Sequence, residues 1–154
     1  MELSTKSFEE NGAMPRKYTQ DGQNVSPELS WSGLPDGTKE LALIVDDPDA
    51  PTPDPHVHWV VYGIDGERSS IPEDSAGGGV EGLTTGGRVG YNGPAPPTDG
   101  GPHRYRFRLF ALDESPGLKP GATKEQLMER MEGHVLGETQ LVGTYERQLG
   151  DTEE

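Results

Sequence analysis

The sequence predicts a mainly β domain in which turns are frequent and helices are few. Its 154 residues include 22 glycines and 14 prolines, and 30% of the chain is apolar. Abundant glycine and proline favour strands joined by many turns over a bundle of helices. Compact apolar runs recur along the chain, so its composition is not that of a disordered protein. A single domain is expected to span residues 1–154, because this length can bury one substantial core.

The first two long strands are predicted around a proline-rich turn. Residues 40–47, ELALIVDD, form a continuous apolar run, which is typical of a strand covered on both faces. Four prolines within residues 48–55 end this strand, because proline cannot donate to a ladder. Residues 56–64, HVHWVVYGI, are β-branched and aromatic and predict the next strand.

The strand predicted at residues 103–112 has two unlike faces. Because strand side chains alternate, one face begins with His103 and Tyr105 and becomes apolar further along. This face suits the rim and floor of a pocket. The other face begins with three arginines and suits a partly solvated surface, where they pair with acids or, alternatively, contact a second copy of the chain: Arg104, Arg106 and Arg108.

One helix and a last strand complete the predicted elements. Thr123 can cap the helix, with Gln126 at the position of a capping box. Leu127, Met128 and Met131 form its apolar stripe. The glycine-rich segment 65–102 leaves little room for regular structure. Residues 139–148 predict the last strand, and residues 150–154 an acidic tail.

The charge balance limits the partners that the protein can have. With 27 acidic and 13 basic residues the net charge is −14, a field that repels nucleic acid and anionic membranes. We therefore expect no nucleic-acid partner and no stable membrane association. The acidity and the scarcity of lysine fit either a solubilising surface or adaptation to high salt.

Other sequence features bear on location and chemistry. Without cysteine, the chain has no disulfides, thiolate metal sites or cysteine nucleophiles. No apolar run approaches the roughly 20 residues that span a bilayer, and the start lacks the features of a signal peptide. The sequence thus predicts a soluble cytoplasmic protein, either a monomer or a homodimer.

Titratable residues cluster where the predicted strands begin or end. Asp46, Asp47 and Asp49 follow one strand, and the next begins with His56 and His58, which alternation places on one face with the residues Val60 and Tyr62. If the strands are neighbours, these groups converge with His103 and Tyr105. Each cluster also has a structural interpretation, since Asp-Pro pairs mark turns and most strand histidines are structural. A zinc site is a weaker alternative, and the sequence contains no GxSxG, P-loop or GxGxxG motif.

Three segments, which follow one another in unbroken order along the chain, resemble the signature of the phosphatidylethanolamine-binding protein family: LALIVDDPDAP, HWVVYGI and GYNGPAPPTDGGPHRYRFRLFALD. The shorter bacterial and archaeal branch, often called Raf-kinase-inhibitor-like, is the most similar, and the likeness covers about residues 19–147. It implies an antiparallel β-sandwich with one or two peripheral helices and a small anion pocket at one end. Carried over residue by residue, the pocket wall is Asp47, Asp49, His58, Pro96, Pro97, His103 and Tyr105.

Two functional hypotheses follow. The first is a binding or regulatory protein that holds a small phosphorylated or otherwise anionic ligand, such as a phosphoethanolamine-like headgroup. This hypothesis includes no metal or cofactor, and it allows for a protein partner. Asp47 would accept a hydrogen bond from His58 or His103 and favour a protonated ring, so affinity would fall as pH rises through about 6 to 7. The alternative is an acid–base hydrolase that uses Asp47, His58 and His103. The proline-rich turn and Ala95 argue against binding of a whole lipid.

Overall fold

The computed structural model describes residues 1–98 and 100–147. A 3-10 helix spans Arg16–Tyr18 and the single α-helix of the described residues, α1, spans Lys124–Met131. The strands are β1 (Glu2–Ser4), β2 (Leu29–Ser32), β3 (Glu40–Asp47), β4 (His56–Asp65), β5 (Ser70–Ile71), β6 (Val80–Glu81), β7 (His103–Leu112) and β8 (Val135–Tyr145).

These strands form two sheets that enclose one large core. The larger sheet has the order β6-β4-β3-β7-β8 and the smaller the order β1-β2-β5, with every neighbouring pair antiparallel. Leu3, Leu29 and Trp31 of the smaller sheet share that core with Leu43 and Phe107 of the larger. The predicted mainly β, antiparallel sandwich with few helices is confirmed.

The central strand β3 is covered on both faces, as its continuous apolar run predicts. Leu41, Leu43 and Val45 face the large core between the sheets. Ala42 and Ile44 face a second, smaller core on the other side of the larger sheet. Burial on both sides explains why this strand shows no polar alternation.

Helix α1 covers that second core. The Thr123 side chain accepts from the main chain of Gln126, whose own side chain accepts from the main chain of Thr123, so the predicted capping box is present. Leu127 and Met131 are buried on the sheet, but Met128 is 41% exposed. The predicted three-residue stripe is therefore wrong for Met128.

The remaining predictions differ in how well they match. Strand β8 begins at Val135, four residues before the predicted start, because it pairs along nearly all of β7. The predicted strand end at Gln148 and the acidic tail 150–154 lie outside the described residues. Within the described part of the chain, no helix is long and apolar enough to cross a membrane.

Candidate functional site

A cavity of about 160 Å³ lies where β3 ends and β4 and β7 begin, beneath the loops that contain Pro51 and Pro96. Six of the seven residues predicted for the pocket wall line it, the exception being Asp49. The full lining is Gln20, Asp47, Ala50, Pro51, His56, His58, Ala95, Pro96, Pro97, His103 and Tyr105.

Asp47 and His103 form a buried pair on one side of the cavity. Nδ1 of His103 lies 2.5 Å from Oδ2 of Asp47, and the side chains are 6% and 4% exposed. Since a carboxylate oxygen accepts, Nδ1 carries the proton. The second ring nitrogen, Nε2, has no hydrogen-bond partner among the described residues, although the ring lines the cavity.

Tyr105 supplies a hydroxyl group in the same cavity. The side chain is 1% exposed, and none of the described residues makes a hydrogen bond with its hydroxyl. Burial, followed by the nearby charge of Asp47, raises the pKa of Tyr105, so the phenol stays protonated. The hydroxyl group thus offers the cavity a donor that no described residue uses.

A β-bulge brings His58 to the cavity. The pairing of β3 with β4 steps from Val45–Trp59 to Asp46–Val57, which leaves His58 as the extra residue. Simple alternation would place His58 with Val60, which faces the second core. The bulge instead turns His58 to the cavity side, where its ring centroid is 5.2 Å from that of Tyr105. The prediction that His58 shares a face with Val60 and Tyr62 is therefore wrong.

The surroundings of His58 keep its ring neutral. Its Nδ1 lies 2.6 Å from the main-chain oxygen of Asn92, to which it donates. Burial lowers the pKa of His58 to about 4, although the bond to Asn92 opposes this shift. Of the two histidines expected to donate to Asp47, His103 does so and His58 bonds the main chain of Asn92 instead.

The loop that carries Pro96 and Pro97 is held by main-chain contacts. The main-chain nitrogen of Asn92 donates to the oxygen of His58 at 2.9 Å. Gly93 donates to Oδ1 of Asn24, and its oxygen accepts from the Gln20 side chain at 3.0 Å. A Cβ at Gly93 would overlap the main-chain oxygen of Tyr18, so only glycine fits this close approach.

Asp49 lies beside the cavity and does not line it. Its carboxylate accepts from the main chain of Arg104 at 2.8 Å and from both ends of the same guanidinium. These bonds lower the pKa of Asp49 to about 2. Asp49 thus ties the turn after β3 to the start of β7.

Asp46 faces the opposite side of the sheet. It is fully buried and accepts from Arg106, Arg108 and Lys124, the last from helix α1. Burial alone would raise the pKa of Asp46, but these cations outweigh that effect and lower it. The predicted partly solvated arginine face, paired with acids, is confirmed: Arg104 is 60% exposed beside Asp49, whereas Arg106 and Arg108 are 28% and 13% exposed and pair with the buried Asp46.

Five lining residues lie outside the predicted pocket wall: Gln20, Ala50, Pro51, His56 and Ala95. Gln20 lies far from the other segments in sequence and no pattern singled it out. His56 belongs to the titratable cluster that was expected to converge with His103 and Tyr105, and the other three lie within one or two residues of predicted wall residues. Within residues 1–98 and 100–147 there is no group of three His, Asp or Glu side chains placed to hold a metal.

The family model described as phosphatidylethanolamine-binding protein matches residues 4–146 of this chain. The chain belongs to the phosphatidylethanolamine-binding protein (PEBP) family. A UPF0098 protein from Methanothermobacter thermautotrophicus is 49% identical to this PEBP-family protein over 153 residues, which cover 96% of this chain and 99% of the relative.

Solved structures agree with this assignment. A PEBP homologue from Chlamydia trachomatis superposes with a TM-score of 0.90 at 40% identity, covering 96% of this chain and 97% of the homologue. YbcL of Escherichia coli, described as a member of the mammalian PEBP family, also gives a TM-score of 0.90, at 26% identity and with 96% and 98% of the chains covered. The protein is thus a PEBP-like binding protein.

Proposed function

We propose that the cavity of this PEBP-family protein binds a small phosphorylated or otherwise anionic ligand, with a phosphoethanolamine-like headgroup as the model. One observation carries the proposal: the unpartnered hydroxyl of Tyr105 lines the same small cavity as His103, whose ring is oriented by Asp47. An unprotonated phosphoryl or carboxylate oxygen needs such donors, since it can only accept.

The size of the cavity favours a headgroup over a whole lipid. Its volume of about 160 Å³ corresponds to about five water molecules. Drug-sized ligands occupy pockets of about 300–1,000 Å³. A phosphate group with a short substituent fits this space, and an acyl chain would have to lie outside it.

Proton balance sets how the anion is held. When His103 carries protons on both nitrogens, Nδ1–H donates to Asp47 and Nε2–H is available to the ligand. When the ring is neutral, Nε2 can only accept, and a ligand P–OH group must donate to it. One proton on either the ring or the ligand is therefore required, so affinity decreases at alkaline pH. His58, neutral above about pH 5, contributes no charge to this dependence.

The alternative function is acid–base hydrolysis, and the Asp47–His103 pair is the observation that favours it, because a carboxylate-oriented imidazole can act as a general base. The described lining includes neither serine nor threonine, so the attacking group would be water or one of the lining carboxylate and imidazole side chains. Binding without turnover accounts for the same residues with fewer requirements.

An NMR titration tests the proposal. Inorganic phosphate, phosphoethanolamine and ethanolamine are added separately to labelled protein at pH 6. We expect the two phosphate compounds to shift the resonances of His103, Tyr105 and Asn92, and ethanolamine to leave them unchanged. His134 pairs with Asp113 outside the cavity and serves as the internal control. Shifts at His134 alone, or none at all, would refute the proposal, and release of phosphate from phosphoethanolamine would favour the hydrolase.

We further propose that the protein acts in the cytoplasm as a monomer or homodimer, without nucleic acid or stable membrane contact. The net charge of −14 supports the last two points. Adaptation to high salt belongs to the same proposal, and a melting temperature that does not rise between low and multimolar KCl would remove it.

A further inference from the structure

A second concavity lies on the far side of the larger sheet, between the C-terminal half of α1 and the start of β8. Its volume is about 530 Å³. We refer to it as the α1–β8 groove, and its lining is Phe110, Met128, Glu129, Met131, Glu132, Val135 and Glu138. None of these residues lines the anion cavity.

The floor of the α1–β8 groove is apolar and partly uncovered. Phe110 and Met131 are buried beneath it, whereas Met128 and Val135 are 41% and 42% exposed. Of the four large hydrophobic residues that are exposed in the described part of the chain, these two lie in this one groove. Methionine adapts its shape to a partner, and contiguous exposed apolar surface marks an interaction site.

Acidic side chains surround this apolar floor. Glu129, Glu132 and Glu138 are all exposed, and within residues 1–98 and 100–147 none has a cation or hydrogen-bond partner. The carboxylates of Asp46 and Asp49, by contrast, are paired with arginines. Three unpaired carboxylates around an apolar strip complement a ligand that is apolar in the middle and positive at its edges.

Two kinds of occupant could cover the groove, a second copy of this chain or a segment of another protein, and charge distinguishes between them. A second copy of this chain would bring another net charge of −14 against the acidic rim. Like charges placed across an interface oppose association. A basic segment gains from the same field, both in its rate of encounter and in the contacts it forms.

We propose that the α1–β8 groove docks an amphipathic, lysine- or arginine-rich segment of another protein. Its apolar face lies on Met128 and Val135, and its positive side chains reach Glu129, Glu132 and Glu138. A helix laid into a groove, with apolar residues at i, i+3, i+4 and i+7, is the binding mode that fits this shape and charge. The site is separate from the anion cavity, so its occupation does not depend on the proposed ligand.

The probe is a synthetic amphipathic helix of leucine and lysine, compared with a version in which glutamate replaces every lysine. Binding is followed by the NMR signals of the methionine and valine methyl groups. The lysine peptide should shift Met128, Met131 and Val135, and the glutamate peptide should shift none of them. Equal binding of both peptides, or shifts elsewhere than the groove, would overturn the proposal.

Matched variants separate the groove from the overall charge. Glu129→Gln with Glu132→Gln changes the net charge from −14 to −12, because each substitution removes one negative charge. The control, Glu9→Gln with Glu67→Gln, makes the same change at exposed sites outside the groove. We expect the first pair of substitutions to lower the affinity for the lysine peptide by about fivefold or more, and the control pair to lower it by less than about twofold. Equal effects would reduce the interaction to non-specific attraction and overturn the proposal.

A third variant tests the apolar floor. Met128→Gln keeps a good helix former at an exposed position, so folding is preserved. This substitution should lower the affinity for the lysine peptide about fivefold without changing the affinity for phosphate. Sedimentation of the unmodified protein and of Met128→Gln completes the test: a dimer that this substitution abolishes would assign the groove to a second copy and refute the proposal.

Discussion

Asp47 and His103 contact each other through Oδ2 and Nδ1, 2.5 Å apart, where the neighbouring strands β3 and β7 end and begin. Asp46 lies directly opposite Arg106 in the register of these strands, so the next residue, Asp47, points to the other face of the sheet. The two adjacent carboxylates thus have separate roles. Asp46 joins the sheet to helix α1 through Lys124, and Asp47 orients the ring of His103 at the cavity.

Removal of either member of the Asp47–His103 pair should weaken anion binding. Asp47→Asn keeps the shape of the side chain but loses its charge, and His103→Gln loses the imidazole ring. Each substitution should therefore weaken the affinity for phosphate by about tenfold or more. Calorimetry measures both. In the double variant the two losses should not add, because both remove the same oriented donor. Additive losses, or a matching loss in the control His134→Gln, would show that the pair does not act as a unit.

The two aspartates with arginine partners should differ in their effect on stability. Asp46→Asn leaves three cations around a buried neutral amide and should lower the free energy of unfolding by about 3 kcal/mol or more. Asp49→Asn affects a pair whose arginine is 60% exposed and should cost less than about 1 kcal/mol. Urea unfolding at pH 7 compares them. Similar losses would mean that burial does not control the strength of these pairs.

His58 should make stability depend on pH in a defined window. Its folded-state pKa of about 4 lies below the ordinary value of 6.5, so between these values the unfolded chain binds a proton that the folded chain does not. The contribution of the neutral His58 ring to the free energy of unfolding is fully present above pH 6.5 and decreases by up to about 3 kcal/mol as the pH falls to about 4. His58→Asn retains a donor for Asn92 and should lose this part of the slope. Parallel stability curves for the two proteins would contradict the assigned pKa.

Gly93 should be intolerant of a side chain. Gly93→Ala places a methyl group against the main-chain oxygen of Tyr18 and pushes the loop of Pro96 and Pro97 away from the cavity. We expect a loss of about 2 kcal/mol in stability together with weaker phosphate binding. Gly79→Ala is the control, since its added methyl group meets the main-chain oxygen of Tyr62, outside the cavity, and should cost stability without weakening phosphate binding. Wild-type phosphate affinity in Gly93→Ala would show that this loop does not shape the site.

Much of the fold follows from hydrophobic patterning, because the long strands carry strong local signals. The bounds of β3 and β7 match the runs 40–47 and 103–112, and the capping box marks the start of α1. The strands β1, β2, β5 and β6 have two to four residues each and were not predicted. Pairing with distant segments defines such short elements, and a local pattern does not reveal it.

The candidate site was less predictable where its geometry departs from simple alternation. The turn of His58 toward Tyr105 depends on a bulge that strand periodicity does not show. Asp49 was expected in the pocket wall, but a neighbouring arginine from β7 engages its carboxylate. Gln20 reaches the cavity from a distant segment by contacting the Gly93 loop. In each case a tertiary contact decides where the side chain lies.

The most direct measurement is the phosphate affinity of Tyr105→Phe, determined by calorimetry beside wild type at pH 6. Tyr62→Phe is the control, since it removes a buried hydroxyl that bonds to Lys119 on the opposite side of the sheet. Because none of the described residues accepts from the Tyr105 hydroxyl, we expect the affinity for phosphate to be at least about tenfold weaker in Tyr105→Phe and unchanged in Tyr62→Phe. Wild-type affinity in Tyr105→Phe would contradict an anion site built around this hydroxyl.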